Sequence, residues 1–240
     1  MKWTETFKVN SHFTDADSIV RVSSLLRYMQ ETANLHQMRT LGPSNSQLRE
    51  MGYAFILSRL SMSFYKPVYA YETIEVQSWA CESKGSSFNR CYRILRDGMI
   101  VAEAASVWGL LRISDRRIMR VGDVVLNFDT DPALELDMPR RLKIPDGALM
   151  ILVGERTVVY SDLDLNNHIN NTNYPDLLCD FLPDMSGKRV ISMRINFLSE
   201  AMLGETLKVY CAEYDGTYFM RTVKSNGAVN VEAEILLESI

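Results

Sequence analysis

The chain has 240 residues, of which 47% are hydrophobic and 23% charged, and its formal net charge is −4 at pH 7. These values are typical of a globular protein with a sizeable core, and the acidic balance without a basic-aromatic pattern excludes general nucleic-acid binding. No run resembles a signal peptide or a membrane span, and the four cysteines lack CxxC spacing, which favours a cytoplasmic protein with buried thiols and no membrane insertion.

The first half of the chain predicts one helix followed by strands. After residues 14–17 come apolar side chains at helical spacing: Val22, Leu25, Leu26, Met29 and Ala33. Strand-like runs follow at 55–65, 73–81, 87–95 and 100–113. A long connection with turn signals such as Asp131-Pro132 then predicts a boundary.

The second half repeats this order. An offset of 147 residues aligns Asp17 with Asp164, Phe13 with Tyr160, and Val22 with Ile169, and it sets Ile19 and Arg21 opposite Asn166 and His168. Further strand-like runs occur at 190–198, 206–212, 218–223 and 229–237. Unless this similarity is chance, it predicts an α+β protein of two units, each an antiparallel sheet wrapped around a helix. We expect an N-terminal unit at 1–120, a linker at 121–150 and a C-terminal unit at 151–240.

The most polar stretch is 161–174, SDLDLNNHINNTNY, which groups two acids, a histidine and five asparagines. Pro175 fits only the first turn of a helix, so the helix carrying Leu177, Leu178 and Phe181 should begin near Thr172 or Tyr174. The polar loop would then lie beside free backbone N–H groups at the positive end of the helix dipole. Caps and turns explain one or two of these residues, whereas the whole cluster indicates a site.

This motif resembles the acyl-acyl-carrier-protein thioesterases of plants and bacteria, and the likeness extends over essentially the whole chain. Gln30-Glu31-Thr32-Ala33 is similar to the family's first helix, and 65–79 to its first strands. The resemblance implies a double hot-dog fold, with Asp164, Asn166, His168 and Glu200 as catalytic residues. Plant members have a cysteine after that glutamate, where this chain has Ala201. The missing plant-type targeting extension points to a bacterial enzyme.

Thioester hydrolysis needs an activated water or carboxylate and a donor for the developing oxyanion. Asp164 and Glu200 are the candidate bases or nucleophiles, and the sequence leaves the choice between them open. Asn166 could position water or the carbonyl, and His168 could move a proton or orient a carboxylate. Backbone N–H groups of Asn170 and Asn171 are the predicted oxyanion donors. No His or Cys partners stand at zinc spacing, so we expect no metal and no cofactor.

The substrate's fatty chain requires an apolar pocket, which the family places in the first half. The candidate lining residues are Met29, Met51, Phe55 and Met62. The expected partner is acyl carrier protein with its phosphopantetheine-linked chain, an acidic protein that would suit a basic surface. Such a surface, unless it is only a solvated turn, would be formed by Arg112, Arg116, Arg117 and Arg120.

The predicted reaction releases free fatty acid and carrier protein and so ends chain elongation. An acyl-CoA thioesterase or a hydroxyacyl dehydratase is compatible with the same fold, because a fold does not specify a reaction. A non-catalytic acyl-thioester-binding module is the remaining alternative, and the polar set at 164–168 argues against it. The sequence leaves monomer and homodimer open.

Overall fold

The computed structural model describes residues 2–39, 43–124, 126, 129–134 and 139–240. The chain divides into two compact units. Unit 1 comprises Met1–Val20 and Leu25–Arg140, and unit 2 comprises Arg21–Ser24 and Arg141–Ile240. The division at 140 falls inside the predicted linker. Among the described residues, no helix is long and apolar enough to cross a membrane.

Unit 1 is an antiparallel sheet with helices. Its elements are β1 (Trp3–Lys8), α1 (Val22–Arg39, which belongs to this unit from Leu25 onwards), α2 (Asn45–Glu50), β2 (Tyr53–Phe64), β3 (Thr73–Lys84), β4 (Ser87–Arg96), β5 (Met99–Arg112) and β6 (Arg117–Met119). The strand order is β1-β3-β4-β5-β2, and β6 pairs with β5. The four predicted strands are therefore present, whereas β1 was not predicted.

Unit 2 repeats the architecture with a shorter helix. Its elements are β7 (Ile151–Thr157), α3 (Tyr174–Cys179), β8 (Lys188–Phe197), β9 (Thr206–Tyr214), β10 (Thr217–Lys224) and β11 (Val229–Ser239). The order β7-β9-β10-β11-β8 matches that of unit 1. The second helix starts at Tyr174 as predicted, but it ends before Phe181. The ring of Phe181 instead lies over Gly154, where a Cβ would come 2.5 Å from it.

The repeat is confirmed, but its predicted register is wrong by two residues. In unit 1 the Asp15 N–H donates to the Ile19 carbonyl at 2.8 Å, and in unit 2 the Asp164 N–H donates to the His168 carbonyl at 2.9 Å. The offset is therefore 149 residues, from Asp15 to Asp164. Matching on the second aspartate of each acid pair gave 147, whereas the hydrogen-bonded loop aligns the first aspartate of unit 1 with Asp164.

The linker is held by side chains of both sheets, each within its own unit. The Trp79 indole N–H donates to the Pro132 carbonyl at 2.9 Å in unit 1. In unit 2 the Asn196 side chain accepts from the Leu142 N–H at 3.2 Å and donates to the Leu142 carbonyl at 3.2 Å. A part of the predicted linker, including residues 135–138, lies outside the described residues.

A buried histidine lies on the helix side of the unit 1 sheet. His36 of α1 stacks on Trp3, with ring centroids 6.0 Å apart, and its Nδ1 lies 3.4 Å from Arg90 Nη1. Burial lowers the pKa of His36 to about 4, and the Arg90 charge adds to the effect. This histidine is therefore neutral in the folded protein near pH 7.

The depressed pKa predicts acid sensitivity. The pKa of His36 is lower in the folded than in the unfolded chain, so the unfolded chain binds this proton more tightly. His36 therefore does not reduce the free energy of unfolding above pH 6.5, but it reduces it progressively as the pH falls towards 4. We expect about 2 kcal/mol of the free energy of unfolding to disappear between pH 7 and pH 4.5 from this group. Urea unfolding of wild type and His36→Gln at several pH values measures it. If the free energy of unfolding depends on pH in the same way in both proteins, His36 is not the source of the acid sensitivity.

Candidate active site

The polar motif folds into a tight loop organised by Asp164. Its Oδ1 accepts the Asn166 backbone N–H at 2.7 Å, and its Oδ2 accepts the Asn166 side-chain amide at 3.0 Å. Asn167 follows with φ 61°, in the left-handed region that asparagine tolerates. Both oxygens of the Asp164 carboxylate are therefore engaged within the loop, as in an Asx-turn.

His168 lies beside this carboxylate. Its Nδ1 is 3.5 Å from Asp164 Oδ1 and 3.5 Å from the Ile169 carbonyl oxygen. Two acceptors on this side favour a proton on Nδ1, which leaves Nε2 with the lone pair. The side chains of Asp164 and His168 are each about one-fifth exposed, 20% and 18% respectively, so solvent and substrate can reach them.

The segment that carries Glu200 pairs with the motif loop. The Ile169 N–H donates to the Ala201 carbonyl at 2.9 Å, and His168 forms an antiparallel bridge with Met202. These two contacts bring the backbone of the segment 200–202 beside the motif loop. Glu200 is exposed, and its carbonyl accepts from Lys224 Nζ at 2.9 Å.

Unit 1 has the same loop without the histidine. The Asp15 carboxylate accepts the N–H groups of Asp17 and Ile19 at 3.0 and 2.9 Å. In the observed register, Ile19 therefore occupies the place of His168, and Asp17 that of Asn166. The Val20 N–H donates to the Val68 carbonyl, as the Ile169 N–H does to Ala201, so Pro67 stands where unit 2 has Glu200.

The second acid of the motif, Asp162, is a structural anchor. It is buried, its Oδ1 accepts from Arg156 Nη2 at 2.7 Å, and its Oδ2 accepts the Val159 N–H at 2.9 Å. Its carbonyl accepts the N–H of Asn170 at 2.8 Å and the side-chain amide of Asn173 at 3.1 Å. Asp162 thus holds both ends of the loop.

The predicted oxyanion donors differ in their availability. The Asn170 N–H is used in the bond to Asp162, and the Asn170 side chain accepts from Thr172 N–H and Oγ1, both at 2.9 Å. Those bonds remove Asn170 from the predicted donors, because the loop itself consumes its N–H. Asn171 begins a 3-10 helix, Asn171–Asn173, where a backbone N–H has no intrahelical acceptor. The N–H of Asn171 therefore remains the better candidate for an oxyanion donor.

The four residues predicted for the acyl pocket occupy different environments in unit 1. Met29 on α1 and Met62 on β2 are fully buried core residues. Phe55 is half-buried, and its ring meets Phe88 edge-on with centroids 5.4 Å apart. Met51 ends α2 and is 51% exposed, which makes it the weakest of the four as a pocket residue.

The arginines predicted to dock carrier protein surround the β5–β6 turn. Arg112 donates to Asp115 from Nε at 2.9 Å and from Nη2 at 2.6 Å, and this pairing lowers the pKa of Asp115 to about 2. The charge of Arg112 is thereby offset. Arg116, Arg117 and Arg120 are exposed, so they form the more exposed part of this basic group.

The cysteines take no part in this loop. Cys179 lies at the end of α3, and burial raises the pKa of its thiol to about 12. Cys81 and Cys91 are buried in unit 1 with sulfurs 3.2 Å apart, and Cys211 is buried in β9. Among the described residues, no group of three or more His, Cys, Asp or Glu side chains could hold a metal ion.

Sequence reasoning missed the residues that brace the Glu200 segment. Lys224 donates to the Glu200 carbonyl and pairs with Glu205 at 2.9 Å, and Glu205 in turn accepts the Met202 N–H at 2.7 Å. Asn230 donates to the Ser199 carbonyl and to the Tyr174 hydroxyl. A buried asparagine inside a strand run was the one local signal for this bracing.

Comparison with known proteins links both units to one family. Residues 1–128 match the family model of the acyl-ACP thioesterase N-terminal domain, and residues 152–239 match that of the C-terminal domain. A palmitoyl-acyl carrier protein thioesterase of Cuphea hookeriana is 23% identical over 75% of this chain and 46% of its own length. Its counterpart in Arabidopsis thaliana is 24% identical over 82% of this chain and 51% of its own. The chain therefore spans about half the length of these curated relatives.

Solved structures share the fold. A crystal structure of an acyl-ACP thioesterase from Bacteroides thetaiotaomicron superposes with a TM-score of 0.88 at 23% identity, covering 99% of this chain and 98% of that one. The 12:0-ACP thioesterase from Umbellularia californica gives 0.82 at 16% identity, covering 100% and 98%. The predicted α+β double hot-dog fold is confirmed.

Proposed function

Because this chain belongs to the acyl-ACP thioesterase family, we propose that it hydrolyses fatty acyl-acyl carrier protein to free fatty acid and carrier protein. Such a reaction ends elongation of the fatty acyl chain. The observation that carries the proposal is the difference between the two loops. The same hydrogen-bonded turn bears Asn166 and His168 in unit 2, paired with the segment of Glu200, where unit 1 has Asp17, Ile19 and Pro67.

In this proposal Glu200 is the general base. It is the more exposed of the two candidate carboxylates, and its segment pairs with the loop that carries His168. Glu200 takes a proton from water as the water oxygen attacks the thioester carbonyl. The C–S bond then breaks, and the departing thiolate recovers that proton to give the free thiol of phosphopantetheine.

Asp164 and His168 orient and stabilise rather than attack. The carboxylate of Asp164 near His168 Nδ1 favours an imidazole whose Nε2 can accept or return a proton. Asn166 has a side-chain amide that could donate to the carbonyl oxygen if it left Asp164. The Asn171 N–H would supply a further donor for the oxyanion.

The binding surfaces belong to the same proposal. Met29, Phe55 and Met62 of unit 1 would contact the fatty chain, since methionines adapt to irregular apolar shapes. Arg116, Arg117 and Arg120 would attract the acidic carrier protein, an effect that should weaken as salt is added. Selectivity for carrier protein over CoA would then come from these charges.

The test is thiol release from purified protein. Acyl-carrier-protein and acyl-CoA series of several chain lengths are incubated with wild type and with Asp164→Asn, which controls for contaminating hydrolases. We expect free thiol and fatty acid in equal amounts, with carrier-bound substrates preferred at low salt. A 3-hydroxyacyl thioester is added to the series, and loss of water from it to an enoyl product without thiol would indicate a dehydratase. Tight binding without turnover would indicate a binding module. Either result would overturn the proposal.

A further inference from the structure

A buried polar network lies directly under the Glu200 segment. The side-chain amide of Asn230 donates to the Tyr174 hydroxyl at 2.9 Å and to the Ser199 carbonyl, while its Oδ1 accepts from Thr222 Oγ1 at 2.9 Å. Tyr174, Thr222 and Asn230 are all buried. They come from α3, β10 and β11, so three separate elements converge on one peptide group.

This network immobilises the residue before Glu200. The Ser199 N–H donates to the Asn230 carbonyl at 3.1 Å, and its hydroxyl donates to the Val229 carbonyl at 2.8 Å. With the amide of Asn230 on the Ser199 carbonyl, the N–H, the carbonyl and the side chain of Ser199 are all bonded to β11. The direction in which Glu200 leaves the sheet is therefore set by Asn230 and its neighbours.

Unit 1 has the same backbone arrangement with an apolar residue in place of Asn230. There the Lys66 N–H donates to the Val101 carbonyl at 3.3 Å, as the Ser199 N–H does to that of Asn230. Lys66 precedes Pro67 as Ser199 precedes Glu200. Val101 is fully buried, as Asn230 is.

The two partners of Asn230 are also apolar in unit 1. Ile94 pairs across the sheet just before a bulge on β4, at the place that Thr222 has on β10. Leu25 lies on α1 at the offset of 149 residues from Tyr174. Ile94 and Leu25 are both buried. The whole polar trio of unit 2 therefore corresponds to an apolar trio in unit 1.

Packing alone does not require this network. An amide and two hydroxyls can be buried without a large cost only when they are hydrogen-bonded, and replacing such partners by apolar groups of the same shape can be nearly neutral or stabilising. Unit 1 builds the same turn with valine, isoleucine and leucine. The polar trio occurs in the unit with the histidine and the glutamate, so its advantage concerns the placement of Glu200.

We propose that Tyr174, Thr222 and Asn230 are positioning residues that hold the Ser199–Glu200 backbone so that the Glu200 carboxylate meets the attacking water. The proposal rests on the proposed hydrolase function. Its chemical basis is general, because supporting hydrogen bonds commonly contribute 10- to 100-fold to the action of the groups they orient, and misplacement of about 1 Å can cost as much.

The first experiment compares matched variants in a thioester assay. Asn230→Val copies Val101, and Thr222→Val removes one hydroxyl without changing shape, while Thr222→Ser keeps the hydroxyl as a conservative rescue. We expect kcat to fall about 10- to 100-fold in both valine variants with KM within about twofold, and Thr222→Ser to recover most of the rate. Thr32→Val is the control, since Thr32 is an equally buried threonine that donates to the Tyr28 carbonyl in unit 1. Its kcat should be unchanged.

A double-mutant cycle separates positioning from general loosening. In a Glu200→Gln background the carboxylate is absent, so Asn230→Val should lower the remaining rate by about twofold or less. The same loss in both backgrounds would overturn the proposal, because the network would then act elsewhere. A loss in Thr32→Val equal to that in Thr222→Val would overturn it too.

Amide hydrogen exchange provides a readout that needs no activity. Exchange across residues 199–202 should accelerate at least about tenfold in Asn230→Val, while the core of β9 stays protected. Unchanged exchange, or kcat values within twofold of wild type, would overturn the proposal. If wild type releases no thiol from any thioester, the proposed function fails instead, and exchange alone then decides whether Asn230 holds this segment.

Discussion

Replacing Asp164 with asparagine should lower kcat about 10²- to 10⁴-fold, because the carboxylate that orients His168 for proton transfer is lost, and proton transfer usually contributes over this range. The asparagine oxygen can still accept the Asn166 N–H that closes the loop at 2.7 Å, so the turn is retained. The carboxylate beside His168 Nδ1 is lost, so the tautomer that leaves the lone pair on Nε2 is no longer favoured. Steady-state kinetics with acyl-carrier-protein measures the effect, with thermal unfolding showing that the variant is folded.

The chain supplies its own control for this substitution. Asp15 closes the equivalent loop of unit 1 with bonds of 3.0 and 2.9 Å, but Ile19 stands where His168 would be. Asp15→Asn therefore makes the same chemical change without a histidine beside it, and kcat should stay within about twofold of wild type. Equal losses in the two variants would show that the loop conformation, rather than the Asp164 charge, limits the rate.

Replacing Arg156 with methionine should reduce the free energy of unfolding by about 3 kcal/mol, because it leaves the buried carboxylate of Asp162 without its cation. The Arg156 Nη2 to Asp162 Oδ1 distance is 2.7 Å, and the Asp162 side chain is almost fully buried. The remaining bond from the Val159 N–H cannot neutralise that charge. Urea denaturation at pH 7 measures the loss.

Two further variants give this stability prediction its controls. Adding Asp162→Asn to Arg156→Met removes the stranded charge and should restore part of the stability. Arg194→Met breaks a pair whose carboxylate is more exposed, Arg194 with Glu234 at 3.1 Å, and should cost less than about 1 kcal/mol. If the two arginine variants lose the same stability, burial of Asp162 is not what makes the Arg156 pair important.

A strand was predictable from the sequence where its own segment shows apolar alternation. The run predicted at 206–212 is Thr206–Tyr214 in the structure, and the run at 229–237 is Val229–Ser239. Apolar alternation is a local property, so it indicates a strand whatever its partner is. The edge strands β1 and β7 were missed because their side chains are only half-buried or exposed, so their sequences lack a strong apolar alternation.

The register of the repeat could not be determined by comparing residue types alone. Two acid pairs can be aligned in more than one way, and the gapless match at 147 was wrong by two residues. Backbone hydrogen bonds from Asp15 and Asp164 determine the alignment of the loops. That correction changes the counterpart of His168 from Arg21 to Ile19, and it shows that unit 1 keeps the turn but has an apolar side chain in the histidine's place.

The sequence by itself determined the two-unit α+β organisation and the helix start near Pro175, and it predicted the loop at 161–174 as the place of the chemistry. These features arise from side-chain periodicity, the fixed φ of proline and the clustering of polar groups, all of which act over a few residues. Only the tertiary structure decided that the Glu200 segment pairs with the loop, that Asp162 is an anchor, and that the Asn170 N–H is occupied. Those outcomes depend on hydrogen bonds between residues distant in the chain or on the path of a turn. Residue spacing along the sequence does not indicate which donor reaches which acceptor.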